Sequence, residues 1–292
     1  MHRWGQNSGR PYVVSPHGML EPWALAQSRL KKYLAGIMYV KNNLRNAAYI
    51  HALTASEETN IKSYLNAAKN IMVVGNGLIV HDVADNSKMQ DIPSSHEKYM
   101  LFVGRIHPKK NIVNFILAWS KLQRRGAIGT WRLKIAGWGD AKYVEKVTST
   151  IVELQLENSV SFIGPVQGQE KEREFISCSA TVLPSLSEGL PMAVLESWAY
   201  SRPVLMTEAC NLPQGLAAGA ADQMPTDIEG MAARLGQFLA KPSEELEAMG
   251  RAGRRLVQHE FSWEAVIEAY INVYRLATER HSTEDSRVPF RK

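Results

Sequence analysis

The chain has 292 residues, of which 45% are hydrophobic and 22% charged, and its net charge is +5 at pH 7. These values are typical of a soluble globular protein with one large or two ordinary domains, and they argue against a disordered chain. The two cysteines show no CxxC or metal-ligand spacing, which argues against a disulfide framework. We therefore expect a cytoplasmic protein with no nucleic-acid partner.

The first third of the chain predicts three short strands, at 11–15, 48–54 and 70–80, the last of which breaks at a Gly-Asn-Gly turn. A helical pattern runs from Leu20 to about Ala47, with Pro22 at its first turn. A second helix is predicted with Ser56 as its N-cap and Glu58 in its first turn. Residues 81–97 are polar without a period, which is typical of a linker.

The second half alternates strands with helices. Strands are predicted at 99–105, 131–137, 159–164, 180–185 and 203–207. Helices are predicted from near 111 and over 141–156, 170–179, 192–200, 244–259 and 262–279. Such alternation is typical of right-handed βαβ units and a parallel sheet covered on both faces.

Ligands of such sheets bind beyond the carboxyl ends of the strands, so the residues that follow each strand are candidates for a site. Gly104, Gly137 and Gly139 follow strands, and glycine allows a backbone to approach a ligand closely. Arg105 and Lys110 add positive charge at the same edge. The combination favours a diphosphate ligand.

Two glutamates flank the start of the predicted helix at 192–200, in the stretch "PSLSEGLPMAVLE". Glu188 stands in the loop after a strand, and Glu196 lies about two helical turns further on. Pro191 suits the first turn of the helix, whose free N–H groups near Gly189 and Leu190 favour an anion or a hydroxyl-rich ligand. Two carboxylates on one crevice would accept hydrogen bonds from the vicinal hydroxyls of a ribose or a hexose.

Several stretches together resemble the retaining family 4 glycosyltransferases, which have the GT-B fold of two facing Rossmann-like domains. The stretches are "PYVVSPHGML", "VVGNGLIV", "LFVGRIHPKKN", "LKIAGWGD", "FIGPV" and "VLPSLSEGLPMAVLESWAYSRPVLMT". The resemblance covers about residues 11–275 and is strongest to bacterial enzymes of lipopolysaccharide, capsule or exopolysaccharide synthesis. It implies an α/β fold with two parallel sheets, and transfer of a sugar from a UDP-, GDP- or ADP-sugar to a saccharide or lipid-linked acceptor.

The resemblance also implies a role for each matching residue. Arg105 and Lys110 would stabilise the donor diphosphate, Glu188 and His17 would contact the donor sugar, and Glu196 would hold the ribose. The remaining donor-binding positions would be Gly104, Gly137, Gly139, Ser187, Gly189, Leu190 and Pro191. No DxD pair or His/Cys cluster is present, so we expect no metal. Where the family usually has a glycine this chain has Ser201, for which we expect little effect.

The resemblance further suggests that the first domain is incomplete. At about 30 residues per βα unit, roughly 80–100 residues of it precede the first matching motif in the family. We therefore expect the remainder of an acceptor-side domain at 1–80, a linker at 81–97, a nucleotide-sugar domain at 98–260, and a returning helix with a polar tail at 261–292. We also expect self-association or recruitment of an N-terminal piece, because an incomplete sheet exposes an edge.

Three other functions remain open. Gly137-Trp138-Gly139 is a fragment of the dinucleotide fingerprint of oxidoreductases, without an evident acidic partner. Glu188 and Glu196 could serve as the carboxylate pair of a glycosidase. The third alternative is a non-catalytic or partner-dependent subunit.

The positive charge is concentrated near the start of the chain, since residues 1–72 hold nine Lys and Arg but three Glu. Basic amphipathic helices bind anionic lipid, so the segment is expected either to make a peripheral contact with the inner face of the plasma membrane or to be a core helix with a solvated basic edge. The basic residues of the helical segment are Arg29, Lys31, Lys32, Lys41 and Arg45.

Overall fold

The computed structural model describes residues 2–27, 29–66, 70–80 and 98–285. The predicted linker at 81–97 lies outside the described residues. The chain divides into two compact units, of which the first combines Met1–Gly77 with Trp263–Lys292 and the second is Leu78–Ser262.

The first unit contains a three-stranded parallel sheet in the order β1-β2-β3. Its strands are β1 (Val13–Val14), β2 (Tyr49–Ala52) and β3 (Ile71–Val73). Its helices are α1 (His2–Ser8), α2 (Pro22–Ala26), α3 (Arg29–Ala35), α4 (Lys41–Arg45), α5 (Ala55–Leu65) and, at the end of the chain, Trp263–Asp285. The buried core of this unit gathers around Ile50, Ile61 and Leu44.

The prediction of a single helix from Leu20 to Ala47 is wrong in one respect, because the helical structure is interrupted after α2. Gln27 is extended and ends α2, and a π-helical turn at Gly36–Val40 joins α3 to α4. Leu25 and Val40 both pack against the same core cluster. A straight helix would place these two side chains about 22 Å apart along its axis, so the bend lets both reach one core.

The start of α5 also differs from the prediction. Thr54, not Ser56, is the N-cap, and its hydroxyl accepts a hydrogen bond from the N–H of Glu57. The buried Glu57 carboxylate in turn accepts from the N–H groups of Leu53 and Gly18, at 2.8 and 2.6 Å. This carboxylate therefore ties the loop that carries His17 to the helix.

The C-terminal helix packs on the sheet of the first unit. Val266 and Val273, one heptad apart, contact Val74 in a buried cluster that also includes Tyr49 and Met72. The last helix therefore belongs to the first unit by packing, although it follows the second unit in sequence.

The second unit contains a six-stranded parallel sheet in the order β6-β5-β4-β7-β8-β9. Its strands are β4 (Tyr99–Val103), β5 (Arg132–Ala136), β6 (Val160–Gly164), β7 (Ala180–Leu183), β8 (Val204–Thr207) and β9 (Ala221–Met224). Its helices are α6 (Ile112–Arg124), α7 (Ala141–Glu153), α8 (Gly168–Ser177), α9 (Met192–Ala199), α10 (Pro213–Ala217), α11 (Ile228–Leu239) and α12 (Ser243–Leu256). The C-terminal helix of the first unit, Trp263–Asp285, is α13.

This strand order is that of a doubly wound Rossmann sheet, in which the chain moves outward in one direction and then returns to the middle. The reversal falls between β4 and β7, which pair directly although about 80 residues separate them in sequence. The predicted alternation of strands and helices with parallel pairing is confirmed. The sequence patterns did not predict β9, α10 or α11.

Ser201 occupies a left-handed backbone position, with φ of 55°. Glycine adopts this conformation without steric cost, which agrees with the glycine that the resemblance leads us to expect at this turn. This turn packs closely against α12, because a Cβ added to Gly250 would lie 1.9 Å from the carbonyl oxygen of Ser201.

Candidate functional site

A cavity of about 280 Å³ opens at the point where the strand order reverses, beyond the carboxyl ends of β4 and β7. Ligands of open α/β sheets bind at this position. The described residues that line it are Val103, Gly104, Lys110, Lys171, Glu188, Leu190, Pro191, Met192, Ala193 and Glu196.

One ion pair on the cavity wall joins Lys110 to Glu188. The Nζ of Lys110 lies 2.5 Å from Oε1 of Glu188, and the two side chains are only 15% and 7% exposed. Ser185 donates its hydroxyl to the same oxygen at 2.5 Å. The carboxylate is therefore held by a charge and a hydroxyl, while its second oxygen has no hydrogen-bond partner in the described part of the chain.

The loop that carries Glu188 is fixed by its backbone. The N–H of Leu186 donates to the carbonyl of Lys109 at 2.8 Å, which ties this loop to the turn after β4. Thr207 donates its hydroxyl to the carbonyl of Ser185, and the side-chain amide of Asn211 donates to the carbonyl of Glu188. These bonds hold the carboxylate in place before any ligand arrives.

A second ion pair on the same wall joins Lys171 to Glu196 at 2.6 Å. Glu196 lies in α9, which starts after Pro191, and Lys171 lies in the first turns of α8. Lys171 is not among the residues predicted from the sequence. Its position soon after the end of β6 was a signal, because that strand ends at the same edge of the sheet.

A positive patch surrounds Lys110. Burial lowers the pKa of His107 below its usual value, and the nearby charges of Arg105, Lys109 and Lys110 lower it further. His107 caps the short 3₁₀ turn Pro108–Lys110 by accepting from the N–H of Lys109. Arg105 itself is exposed and does not line the cavity, but its charge belongs to this patch.

The structure brings six of the predicted site residues to the cavity wall: Gly104, Lys110, Glu188, Leu190, Pro191 and Glu196. Five others in this unit do not line it: Arg105, Gly137, Gly139, Ser187 and Gly189. A packing reason explains two of these glycines. A Cβ on Gly137 would lie 1.8 Å from the carbonyl oxygen of Gly104, and one on Gly139 would lie 2.0 Å from that of Ile106.

His17 is described within the first unit, where it is exposed and has a φ of 51°. Its ring lies edge-on to that of His51, with centroids 6.5 Å apart. Burial lowers the pKa of His51, whose Nδ1 contacts the Ser15 hydroxyl and whose Nε2 contacts the Val74 carbonyl. The predicted contact between His17 and the donor sugar stays a prediction.

The two cysteines are buried in the second unit, and burial raises the pKa of each thiol, Cys178 and Cys210, to about 12. Thiols with so high a pKa are poor nucleophiles at neutral pH. Across the described ranges, no three His, Cys, Asp or Glu side chains gather in a way that could hold a metal ion.

The sequence matches the family of Glycosyl transferases group 1 over residues 85–256, more than half of the chain. The chain belongs to this family, as its motifs predicted. Similar proteins include the amylovoran biosynthesis glycosyltransferase AmsD of Erwinia amylovora, which is 27% identical over 66% of this chain and 50% of the relative. The O-antigen chain mannosyltransferase B of Escherichia coli is 25% identical over 64% of this chain and 48% of the relative.

Solved structures share the fold. Sucrose-phosphate synthase from Thermosynechococcus elongatus superposes with a TM-score of 0.78 at 20% identity, covering 94% of this chain and 70% of that one. Anabaena HepE, solved in complex with UDP and glucose, superposes with a TM-score of 0.74 at 17% identity, covering 98% and 74%. These likenesses confirm the predicted GT-B fold class. The chain spans about half the length of the curated relatives it matches.

Proposed function

We propose that this protein transfers a sugar, with retention, from a nucleotide-sugar donor bound in the cavity of the second unit. The observation that carries the proposal is the pair of lysine–glutamate contacts, Lys110 with Glu188 and Lys171 with Glu196, on one cavity at the reversal of a Rossmann sheet. Membership of the glycosyl transferase family favours this activity over a dinucleotide oxidoreductase or a glycosidase.

The charges suit such a transfer. When the donor bond breaks, negative charge develops on the diphosphate, and preorganised cations stabilise it most effectively in a partly desolvated site. Lys110 and Arg105 would supply this charge at the end of β4, so we expect transfer without a metal. Glu188, with the N–H groups of Gly189 and Leu190, would hold sugar hydroxyls, and Glu196 the ribose. Gly137, Gly139, Ser187 and Pro191 would shape the donor-binding edge around them.

The acceptor would be a saccharide or a lipid-linked saccharide. Relatives are named for amylovoran, colanic acid and O-antigen synthesis, which favours a role in bacterial lipopolysaccharide, capsule or exopolysaccharide assembly. His17 would contact the donor sugar. Within the described strands, β1 pairs only with β2, so its free edge could also accept a strand from a second copy or an N-terminal piece.

The first unit would contact the cytoplasmic face of the membrane. Among residues 1–72, the acidic side chains add little negative charge to the surface, since Glu21 and Glu57 are buried and Glu58 pairs with Lys62. No helix within the described ranges is long and apolar enough to cross a membrane. The apolar surface of α3 and the π-helical turn instead suits shallow insertion among anionic headgroups. Its exposed side chains are Tyr33, Leu34, Ile37, Met38 and Tyr39.

The proposed function is tested by incubating the protein with UDP-, GDP- and ADP-sugars and a lipid-linked saccharide extract. Release of nucleoside diphosphate together with a new glycoside of unchanged anomeric configuration would support it. Donor binding without transfer would favour the alternative, a subunit that depends on a partner. A Glu188→Gln variant is the control, because product formed at an undiminished rate by this variant would contradict the assigned site.

A further inference from the structure

Lys171 lines the cavity although it lies outside the sequence motifs that predicted the site. It lies in α8, and its ammonium is 2.6 Å from Oε1 of Glu196. The two side chains are 32% and 21% exposed, so solvent only partly screens the pair. The contact joins two helices that are 25 residues apart in sequence.

The Lys171–Glu196 pair repeats the arrangement at the other carboxylate. In each pair the lysine holds Oε1, and Oε2 accepts no hydrogen bond within the described residues. A carboxylate offers about four acceptor positions, so Glu196 can bind the ammonium and a hydroxyl at the same time. Lys171 thus occupies one oxygen and leaves the other available to a ligand.

We propose that Lys171 is a positioning residue, which fixes Glu196 for recognition of the ribose 2′-hydroxyl of the donor nucleotide. The inference rests on the proposed function and deepens it. A free glutamate would lose rotamer freedom on binding a hydroxyl, and a carboxylate already held in place loses less.

A direct contact between Lys171 and phosphate is the competing explanation, because an ammonium has three donors. The two explanations differ in what they predict for ligand fragments. A positioning residue affects ligands that carry a ribose 2′-hydroxyl, whereas a phosphate ligand affects inorganic pyrophosphate as well.

The experiment uses calorimetric titration of the native chain and of Lys171→Met with UDP, GDP, ADP, their 2′-deoxy counterparts and pyrophosphate. We expect Lys171→Met to weaken binding of the ribonucleotide about 3- to 10-fold, which corresponds to the free energy of about one hydrogen bond. Binding of the deoxynucleotide or of pyrophosphate should weaken less than about twofold. Lys171→Arg should keep most of the discrimination. In a Glu196→Gln background, Lys171→Met should cost nothing further.

Lys121→Met is the matched control, because Lys121 pairs with Glu229 on the exposed surface of the same unit. It should leave every affinity unchanged. Equal weakening of ribo- and deoxynucleotides in Lys171→Met, or weakened pyrophosphate binding, would overturn the positioning role. So would a native chain that binds ribo- and deoxynucleotides equally.

The failure of this inference is distinguishable from failure of the proposed function. If Glu196→Gln loses the discrimination and Lys171→Met keeps it, only the role of Lys171 is wrong. If the native chain binds no nucleoside diphosphate, the proposed function is wrong and the inference falls with it.

Discussion

Replacement of Lys110 by methionine tests the buried ion pair at the centre of the site. The change keeps the length of the side chain but leaves Glu188 with the Ser185 hydroxyl and without its paired ammonium. Removing one partner of a buried ion pair costs about 3–5 kcal/mol. Because the Lys110 side chain is still 15% exposed, we expect the lower end of this range, about 3 kcal/mol or roughly a 150-fold change in the unfolding equilibrium.

The double variant Lys110→Met/Glu188→Gln separates this loss from simple loss of packing. It removes both charges, so the free energy of unfolding should fall by only about 1 kcal/mol. Urea unfolding followed by fluorescence measures the free energies, and hydrogen exchange of the β7 and α9 amides assigns the change to the second unit. Lys121→Met, at an exposed pair, should cost less than about 1 kcal/mol. A Lys110→Met variant within about 0.5 kcal/mol of the native protein would refute the buried pair.

Three further predictions concern the donor site, the membrane and pH. Arg105→Ala and Glu196→Ala should each weaken nucleotide-sugar binding about 10- to 150-fold while the fold survives; calorimetry with circular dichroism checks both, and unchanged affinity would contradict the assignment. Ile37→Glu should reduce sedimentation with anionic vesicles, and Val152→Glu, at an exposed position of the second unit, should not; equal binding to neutral vesicles would reject the membrane contact. Burial lowers the pKa of His51, so the free energy of unfolding should fall as pH drops below about 6.5, where the unfolded state takes up the proton first. Urea titrations between pH 5 and 8 should show a flatter profile for His51→Gln, and identical profiles would remove His51 as the cause.

The central residues of the site were predictable because ligands of parallel sheets bind beyond the carboxyl ends of the strands, and each strand end can be recognised from the local sequence. Gly104, Lys110 and Glu188 follow strand ends, and strand ends of a parallel sheet meet at one edge. Glu196 was predictable from the helical period alone. The sequence therefore predicts that both carboxylates lie on one crevice, although it does not give the distance between them.

Lys171 was harder to predict than these residues, because its role depends on the contact that α8 makes with α9. A lysine in the first turns of a charged helix looks like an ordinary solvated residue. At Gly137 and Gly139, the absence of a Cβ has a packing reason that the sequence does not reveal, because neighbouring carbonyl groups already occupy that space. Their predicted part in donor binding stays a prediction.

Most of the fold elements that the sequence did not predict correctly are short or polar. The strand β9 reads Ala-Asp-Gln-Met, which lacks the β-branched residues that mark strands, and it lies at the edge of the sheet. The N-cap of α5 was misplaced because Thr54 and Ser56 are both good caps two residues apart. The break after α2 follows from tertiary packing of Leu25 and Val40, which a helical period does not reveal.

The most direct test of the central claim is calorimetric titration of the native protein and Glu188→Gln with a panel of UDP-, GDP- and ADP-sugars. The account predicts that one nucleotide class binds the native protein at a single site, and that Glu188→Gln weakens the intact nucleotide sugar more than its nucleoside diphosphate. That difference would locate the sugar beside Glu188. Absence of binding to every donor, or equal weakening of both ligands, would contradict the assignment of this cavity as a nucleotide-sugar site.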